Sequence, residues 1–390
     1  MKKIKSIIIG ILLIASILTV INPVSAYSIQ GAIDAAPVGG TVIVPAGTYT
    51  ENIVINKSLT LIGENKETTK IKPSNNDNPV VWVKASNVTI RNLTVYNDAY
   101  TSESTYSGLV DIANGTTGIS NITIENTIIG PAMKADGTGG GRMGISIGSP
   151  SYITTNIIIR NNEIKDIKGN GNGIMIWAPK AKDPTPNYKG LVQNVLIENN
   201  YIHDIRRTGI ESAGNVKDIT IRNNTIKNCG GIFPGDTHPK YGNGIVFFKN
   251  GTYETSAPGE DSERRNILIS NNNLENLSNI GIFLFGSSHD VTIEYNRITK
   301  VTKYGIMLDS LAGPDTPDPS VPLPNTKYKQ KDDAFSNIKL IRNILGANGK
   351  NIELRTTYMP QIVSGPGIAN PVDKIWGIIS KNNKKNQDEQ

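Results

Sequence analysis

The sequence is poor in the residues that most often bind metals or form cross-links. Its 390 residues include one cysteine and three histidines, and aromatic residues make up only 6%. A single cysteine excludes an intramolecular disulfide framework, and no Cys/His set has the spacing of a zinc or copper site. The lone cysteine, Cys229, falls at an apolar position of a repeated pattern. That position predicts a core side chain rather than a reactive thiol.

Long apolar runs are missing too, apart from one at the N-terminus. Residues 1–26 combine three early lysines, an apolar run over 7–21 and a small-residue site ending at Ala26. This order predicts a secretory signal peptide, and the alternative is an uncleaved membrane anchor. With the signal removed, we expect a protein that is secreted or held at the cell surface, with no membrane segment.

A strong charge of either sign is absent as well. The formal net charge of +6 would fall to +3 if the three lysines of the signal were removed. So small a bias does not indicate a nucleic-acid partner. Residues 373–390 are predicted to form a charged C-terminal tail that carries no second anchor.

What the sequence does contain is a repeated unit of nine residues. In the copy Asp218–Ile226, apolar residues alternate with others and then an asparagine pair follows. The alternation predicts a short β-strand rather than a helical turn. Fixed units separated by gaps of variable length are typical of a solenoid with insertions. The other copies are Asn87–Val95, Asn121–Ile129, Asn156–Ile164, Asn194–Ile202, Asn266–Leu274, Asp290–Ile298 and Asn337–Leu345.

Two further short strands recur in most repeats. One begins with a Gly-Ile pair, as in Gly173–Ile176 and Gly244–Phe247, and the other has apolar residues three apart, as in Ile202 and Ile205. Three strands per turn predict an all-β chain coiled into a parallel β-helix with three parallel sheets. The amphipathic stretch 28–36 predicts a short helix, with Ser28 as its N-cap, that covers the first coil.

One repeat position is occupied by asparagine in six copies. Asparagine tolerates turn dihedral angles, and its amide both donates and accepts hydrogen bonds. We therefore expect a ladder of stacked amides at one corner. The residues are Asn162, Asn200, Asn224, Asn272, Asn296 and Asn343.

With these repeats, residues 28–360 resemble the right-handed parallel β-helix proteins of the pectate-lyase-like superfamily. The stretch 40–63 resembles the start of secreted β-helix proteins, among them pectin methylesterases and a copper-associated periplasmic type. The resemblance implies one β-helix domain, which we place at residues 27–372. It implies little about function, because one architecture hosts many chemistries, and it does not imply copper binding.

Long insertions flank the Gly-Ile strands on both sides. Residues 130–142 and 228–241 precede such strands, and residues 178–193, 249–265 and 310–336 follow them. Lengthened loops at both edges of one sheet predict a walled groove over it.

The outward residues of this sheet are the candidates for contact with a ligand. Flat aromatic faces suit sugar rings, and charged groups suit hydroxyls or uronates. The alternative is that the long loops fold over the aromatic residues and bury them. The predicted substrate-binding residues are Trp177, Phe248, Phe285, Arg206, Asp309 and Arg355.

Hydrolysis by paired carboxylates is not favoured by this arrangement. Glu211 and Asp309 are predicted to lie three coils apart, about 14 Å at the usual strand spacing, whereas glycoside hydrolysis needs roughly 5–9.5 Å. The motifs of the methylesterases, polygalacturonases and pectate lyases do not occur. Elimination at a uronate sugar needs only a base and nearby cations. The predicted catalytic residues are Arg207, Glu211, His238 and Lys240.

No cofactor or permanent metal site is predicted. Calcium is a hypothesis at two places, the stacked pair Asp166 and Asp204 and the acidic loop with Asp315 and Asp318, because carboxylate oxygens are the ligands that calcium prefers.

Three functions fit these observations. The first is a protein that binds an extracellular polysaccharide or cell-envelope glycan, with or without cleaving it by β-elimination. The second is a non-catalytic, adhesive surface rod. The third is an accessory protein of an exported metalloenzyme.

Overall fold

The computed structural model describes residues 27–100, 108–112, 117–134, 143–148, 152–169, 171–178, 190–230, 242–248, 264–286, 288–309, 335–355 and 360–363. Within these ranges the chain forms one α-helix and 31 β-strands, numbered here along the chain. The predicted signal peptide at 1–26 and the predicted tail at 373–390 lie outside the described residues.

The strands form three parallel sheets, and each turn of the coil contributes one strand to each sheet. The first sheet contains β1 (Gly40–Val44), β4 (Leu59–Gly63), β7 (Val88–Arg91), β10 (Ser120–Glu125), β13 (Ile153–Arg160), β16 (Leu191–Glu198), β19 (Val216–Arg222), β22 (Arg264–Ser270), β25 (Ser288–Glu294), β28 (Phe335–Ile341) and β31 (Gln361–Val363). The second contains β2 (Gly47–Thr50), β5 (Thr69–Lys72), β8 (Thr94–Tyr100), β11 (Ile128–Lys134), β14 (Glu163–Ile167), β17 (Tyr201–Ile205), β20 (Thr225–Cys229), β23 (Asn273–Leu277), β26 (Arg297–Val301) and β29 (Ile344–Gly346). The third contains β3 (Ile53–Ile55), β6 (Val81–Val83), β9 (Gly108–Ile112), β12 (Met143–Gly148), β15 (Ile174–Ala178), β18 (Thr208–Gly214), β21 (Asn243–Phe248), β24 (Ile280–Phe285), β27 (Tyr304–Asp309) and β30 (Lys350–Arg355). The prediction of an all-β chain with three parallel sheets is confirmed.

The core lies inside the coil and follows from the alternation of the strands. Successive side chains of a strand point to opposite faces, so the apolar residues at every second position all point inward. Ile197, Ile221 and Ile269 lie in register on adjacent strands, and all three are fully buried. Cys229 stacks in the same way between Ile205 and Leu277, and burial raises the pKa of its thiol. The prediction that this cysteine is a core side chain is confirmed.

The helix α1 (Ile29–Ala35) packs its apolar side against the first coil. The Ser28 side chain accepts a hydrogen bond from the backbone N–H of Gly31 at 3.1 Å, as an N-cap does. Ile29 and Ile33 are fully buried in the core of the coil. The predicted capping helix is therefore confirmed.

The predicted amide ladder stands at the corner between the first and second sheets. Asn224 donates from Nδ2 to Asn272 Oδ1 at 3.0 Å, and its own Oδ1 accepts from Asn200 Nδ2 at 3.0 Å. The backbone N–H of each residue donates to the same oxygen of the next coil, at 2.9–3.0 Å. The same contacts continue along Asn162, Asn200, Asn224, Asn272, Asn296 and Asn343, all of them buried.

The glycines that begin most third-sheet strands have a packing reason. A Cβ on Gly244 would lie 2.5 Å from Leu274 Cδ2 and 2.6 Å from the carbonyl oxygen of Gly281. Real Cβ atoms do not approach other atoms so closely, so only glycine fits between two coils at this edge. This is the physical origin of the Gly-Ile pattern.

Candidate functional site

The chain connections single out the third sheet. The corner between the first and second sheets takes two residues in most coils, for example 223–224, whereas the connections into and out of the third sheet include 231–241, 249–263 and 310–334. One long segment therefore leads into a strand of the third sheet and two lead out of such strands, so both edges of this sheet carry long connections. Their own placement lies outside the described residues, so the walls of the predicted groove stay a prediction.

Arg207 and Glu211 meet at the start of β18. The corner residue Arg207 directly precedes the strand, and its Nη2 lies 4.0 Å from Glu211 Oε2. The Glu211 side chain is 8% exposed and that of Arg207 is 24% exposed. In register with Glu211 lie the apolar residues Met175 and Val246. A carboxylate between apolar neighbours and beside a guanidinium is shielded from water, and this strengthens its electrostatic interactions.

Trp177 lies on the same outward face, one coil before Glu211. It pairs with Gly148 on one side and Ala213 on the other, so neither neighbouring residue has a long side chain. Trp177 is 39% exposed as a result. Trp177 and Glu211 lie on adjacent strands and are offset by two residues along the strand direction. Their backbones are therefore about 8 Å apart. The sequence placed Glu211 and Trp177 on one outward face, in agreement with this register; the role of these residues in a site stays a prediction.

The later coils of this face differ from the expectation of an open surface. Phe285 is 2% exposed and Asp309 is 1% exposed. Phe285 belongs to an apolar cluster outside the main core, formed by Val246, Ile280, Phe283, Phe285 and Met307. Of the two alternatives for the aromatic residues, burial applies to Phe285 and exposure to Trp177. Asp309, which the sequence placed on an open face, is therefore buried, and its role in substrate binding stays a prediction.

The remaining predicted residues are placed only in part. Phe248 pairs with Ala213 and Phe285, and Arg355 pairs with Asp309, as the sequence predicted for their backbone positions; their side chains are not described. Arg206 precedes β18 at a half-buried position. His238 and Lys240 lie outside the described residues, and their catalytic role stays a prediction.

The sequence reasoning missed two earlier strands of the same sheet, β6 and β9. They place Trp82 and Asp111 in register with Ser146 on the outward face. Lys84 lies with its Nζ 3.4 Å from the centre of the Trp82 ring, a cation–π contact. The available signal was the alternating Val81-Trp82-Val83, which precedes a repeat copy as the Gly-Ile strands do.

A second polar ladder, also missed, lies at the edge where third-sheet strands begin. Asn172 Oδ1 accepts from the backbone N–H of Thr208 at 3.2 Å, and Asn243 donates from Nδ2 to Thr208 Oγ1 at 3.3 Å. Asn279 Nδ2 then donates to Asn243 Oδ1 at 2.9 Å. All four residues are buried, so this ladder fixes the strand edge beside Arg207. The signal was an Asn or Thr directly before Gly173, Gly209 and Gly244.

The stacked acidic pair proposed for calcium has protein partners. Asp204 Oδ2 lies 2.5 Å from His203 Nδ1, and Asp204 Oδ1 accepts from Asn228 Nδ2 at 3.1 Å. Among the residues that the structure describes, no group of three or more His, Cys, Asp or Glu side chains is arranged to hold a metal ion. Asp315 and Asp318 are outside that set, and calcium binding stays a hypothesis.

Comparison with known proteins supports the architecture. A family model described as "Right handed beta helix region" matches residues 188–315. Together with the three parallel sheets, this match shows the fold of a right-handed parallel β-helix. The predicted resemblance to the pectate-lyase-like superfamily is thereby confirmed at the level of fold. None of the curated proteins matches this β-helix protein.

Several solved structures are similar to this chain at low identity. One is the A-module of mannuronan C-5 epimerase AlgE6 from Azotobacter vinelandii, with 15% identity, TM-score 0.43, and coverage of 87% of this chain and 95% of the other. Another is the Dettilon tailspike protein, with 15% identity, TM-score 0.49, and coverage of 81% and 62%. A third is the family 28 exopolygalacturonase of Yersinia enterocolitica, with 14% identity, TM-score 0.41, and coverage of 86% and 74%.

The described part of this β-helix protein includes no helix with the length and hydrophobicity of a membrane span. Its single helix, α1, has seven residues.

Proposed function

We propose that this protein binds an extracellular polysaccharide on the outward face of the third sheet, at Trp177, Arg207 and Glu211. The observation that carries the proposal is the exposed Trp177 indole between Gly148 and Ala213, next to a shielded Arg207–Glu211 pair. An apolar ring beside a few convergent polar groups is the usual composition of a ligand site.

The charges of this site favour an acidic sugar. Arg207 is the more exposed member of the pair, so its guanidinium is the group that a ligand carboxylate reaches first. A planar guanidinium binds a carboxylate through two parallel hydrogen bonds. The tryptophan would then hold the apolar face of a neighbouring ring.

The Arg207–Glu211 contact also favours a second candidate function, cleavage of a uronate linkage by β-elimination. The Glu211 carboxylate would take the proton from C5 of the uronate, a C4–C5 double bond would form, and the C4–O bond would break. The leaving oxygen would take a proton from water, and Arg207 would stabilise the negative charge on the uronate carboxylate during the step. Extracellular localisation, which this proposal needs, rests on the predicted signal peptide.

The test uses the full chain with polygalacturonate, alginate and hyaluronan. In affinity gels we expect one of these polymers to retard the protein, and we expect Trp177→Ala to weaken binding about tenfold, the size of one well-packed aromatic contact. Cleavage would appear as ultraviolet absorbance of the unsaturated product, and Arg207→Ala or Glu211→Gln would abolish it.

Tyr201→Ala is the matched control. Tyr201 is 43% exposed, like Trp177, but it lies on the second sheet and stacks on His203. Its removal should leave binding unchanged. If none of the three polymers retards the unaltered protein, the polysaccharide proposal is wrong and the non-catalytic rod is favoured. Full cleavage by both Arg207→Ala and Glu211→Gln would remove these residues from the mechanism.

A further inference from the structure

The outward face of the third sheet divides into two halves of different character. From β6 to β18 one column of in-register residues runs Trp82, Asp111, Ser146, Met175 and Glu211. From β21 to β27 the same column continues with Val246, Phe283 and Met307, which are apolar and buried. Ser146, Met175 and Glu211 are also buried, at 6–8% exposed, whereas Trp82 and Asp111 are half-buried and Trp177 is 39% exposed. The more exposed side chains of this face therefore lie on the N-terminal side of Glu211.

Two tryptophans stand on this N-terminal half. Trp82 on β6 and Trp177 on β15 are separated by three strand spacings, about 14 Å along the axis of the coil. Trp82 is half-buried, and its ring carries the Lys84 ammonium at 3.4 Å from the centroid. Between the two rings lie the half-buried carboxylate of Asp111 and the hydroxyl of Ser146.

Each component matches a part of a sugar chain. Indole rings pack against the apolar faces of sugar rings, and carboxylate and hydroxyl groups bind sugar hydroxyls. An ammonium held beside an indole ring is positioned to pair with an acidic substituent of the sugar that lies there. The separation of the tryptophans is too long for one sugar ring and requires a chain of several.

We propose that Trp82, Lys84 and Asp111 form a distal sugar-binding subsite, and that the polysaccharide runs along the coil axis from this subsite to Trp177 and Glu211. This inference rests on the proposed function and adds the direction and minimum length of the bound chain. A ligand that extends from Glu211 toward β27 instead would meet the buried cluster around Phe285.

The test measures affinity as a function of ligand length. Oligosaccharides of two to six units, prepared from polygalacturonate, alginate and hyaluronan, are titrated into the full chain by calorimetry. For the unaltered protein, affinity should rise steeply at about four units, when one chain reaches both tryptophans. Trp82→Ala should remove this rise, about tenfold for the longest ligand, and leave the shortest unaffected. Trp177→Ala should weaken binding at every length.

Trp82→Phe and Lys84→Gln keep the test independent of folding. Trp82→Phe retains an aromatic ring and should keep most of the rise of affinity with ligand length. Lys84→Gln should lose only the part of that rise that depends on salt concentration. Circular dichroism and thermal unfolding check that each variant is folded, and Tyr201→Ala is again the control. If Trp82→Ala binds every length as the unaltered protein does while Trp177→Ala does not, the distal subsite is wrong and the proposed function stands. If no oligosaccharide or polymer binds, both are wrong.

Discussion

Two of the asparagine ladders along this β-helix differ chiefly in burial. The ladder through Asn224 is buried at the corner between the first and second sheets. The other, called the exposed ladder here, lies in the first sheet, where Asn121 Nδ2 donates to Asn87 Oδ1 at 2.8 Å and Asn156 Nδ2 to Asn121 Oδ1 at 2.9 Å. Both ladders stack amides one coil apart, although Asn224 donates toward the next coil and Asn121 toward the previous one. The pair therefore compares a repeated amide hydrogen bond with and without access to water.

The sequence already records a difference between them. Among the six predicted positions of the buried ladder every residue is asparagine, whereas the exposed ladder has aspartate at Asp218 and Asp290. An ionised aspartate accepts hydrogen bonds but cannot donate, so the donor series stops at each of these coils. Water can replace the missing bond at the surface but not at the buried corner. Thr127 occupies the same corner one coil before Asn162, is fully buried, and donates its backbone N–H to Asn162 Oδ1 at 3.0 Å. The buried corner therefore accepts another uncharged residue, whereas the exposed ladder also accepts a charged one.

Backbone conformation explains why asparagine occurs in both ladders' neighbourhoods. Asn87, Asn121 and Asn156 have φ between 57° and 59°, and the residues just before the buried ladder are similar, with Asn161 at 56° and Asn223 at 55°. Asparagine and aspartate adopt this left-handed conformation more readily than other non-glycine residues. In the exposed ladder the same residue has the left-handed φ and makes the side-chain hydrogen bond. At the buried corner Asn223 has the left-handed φ and the next residue, Asn224, makes the hydrogen bond.

The largest expected effect is that of Asn224→Ala. The change removes the acceptor of the Asn200 backbone N–H and the donor to the Ile197 carbonyl oxygen. Leaving one buried polar group unsatisfied costs about 1–3 kcal/mol, so we expect the free energy of unfolding to fall by about 3 kcal/mol or more. Urea unfolding followed by circular dichroism measures it. At the surface Asn121→Asp is the control, because aspartate keeps the left-handed conformation and removes only the exposed Nδ2 donor. It should cost less than about 0.5 kcal/mol, and equal losses in the two variants would refute the role given to burial.

A smaller loss of stability is expected at the third sheet, where two glycines, one tightly packed and one open, can be compared. Gly244→Ala places a methyl group 2.5 Å from Leu274 Cδ2 and 2.6 Å from a carbonyl oxygen. Overpacking of this kind costs about 1–3 kcal/mol. Gly346→Ala is the control, because nothing lies within 4 Å of the Cβ that it would add. We expect a lower urea midpoint for the first variant only; unchanged midpoints for both would mean that the coils separate easily at this edge.

The sequence was sufficient for the fold because the fold is periodic. The alternation in Ile219 and Ile221 fixes which face is inward, and the recurrence of Asn224 fixes the corner, so every coil repeats the same evidence. The strand Val81–Val83 was missed because it has three residues and lacks the Gly-Ile pair, and Trp82 was missed with it. A site assembled from single residues of different coils has no period that could reveal it.

Exposure was the other property that the sequence did not determine. Alternation places Phe285 and Trp177 on the same outward face, and the structure confirms that register. Phe285 is nevertheless buried and Trp177 exposed. The burial of an outward residue depends on what packs over it, and the alternation of a strand does not determine that. Trp177 differs in having glycine and alanine beside it, a signal that was available in the sequence.

The smallest expected loss of stability is at Glu163 on the second sheet. Its carboxylate is part-exposed, and so intermediate between the buried and the exposed ladder. Burial raises the pKa of Glu163, but hydrogen bonds with Lys165 and His203 lower it by more, so the net pKa lies below the ordinary value of 4.5. Lys165 Nζ donates to Glu163 Oε1 at 2.9 Å, and His203 Nε2 lies 3.3 Å from the same atom. The ionised form is therefore favoured by folding.

Its contribution to stability should be complete above the unfolded pKa and should disappear as the pH falls below about 4.5 and through the lower folded pKa. Glu163→Gln should reduce the free energy of unfolding near neutral pH by less than about 1 kcal/mol, the range of part-exposed ion pairs, and its curve should approach that of the unaltered protein once the pH falls below the folded pKa. Urea titrations across this range measure both.

Lys165→Met removes the nearest cation, so the double variant should lose little more than Glu163→Gln alone; additive losses would show that the two groups act independently. A loss at Glu163 as large as that at Asn224 would mean that partial exposure to water does not weaken a polar contact, and the contrast between the two ladders would then need another cause.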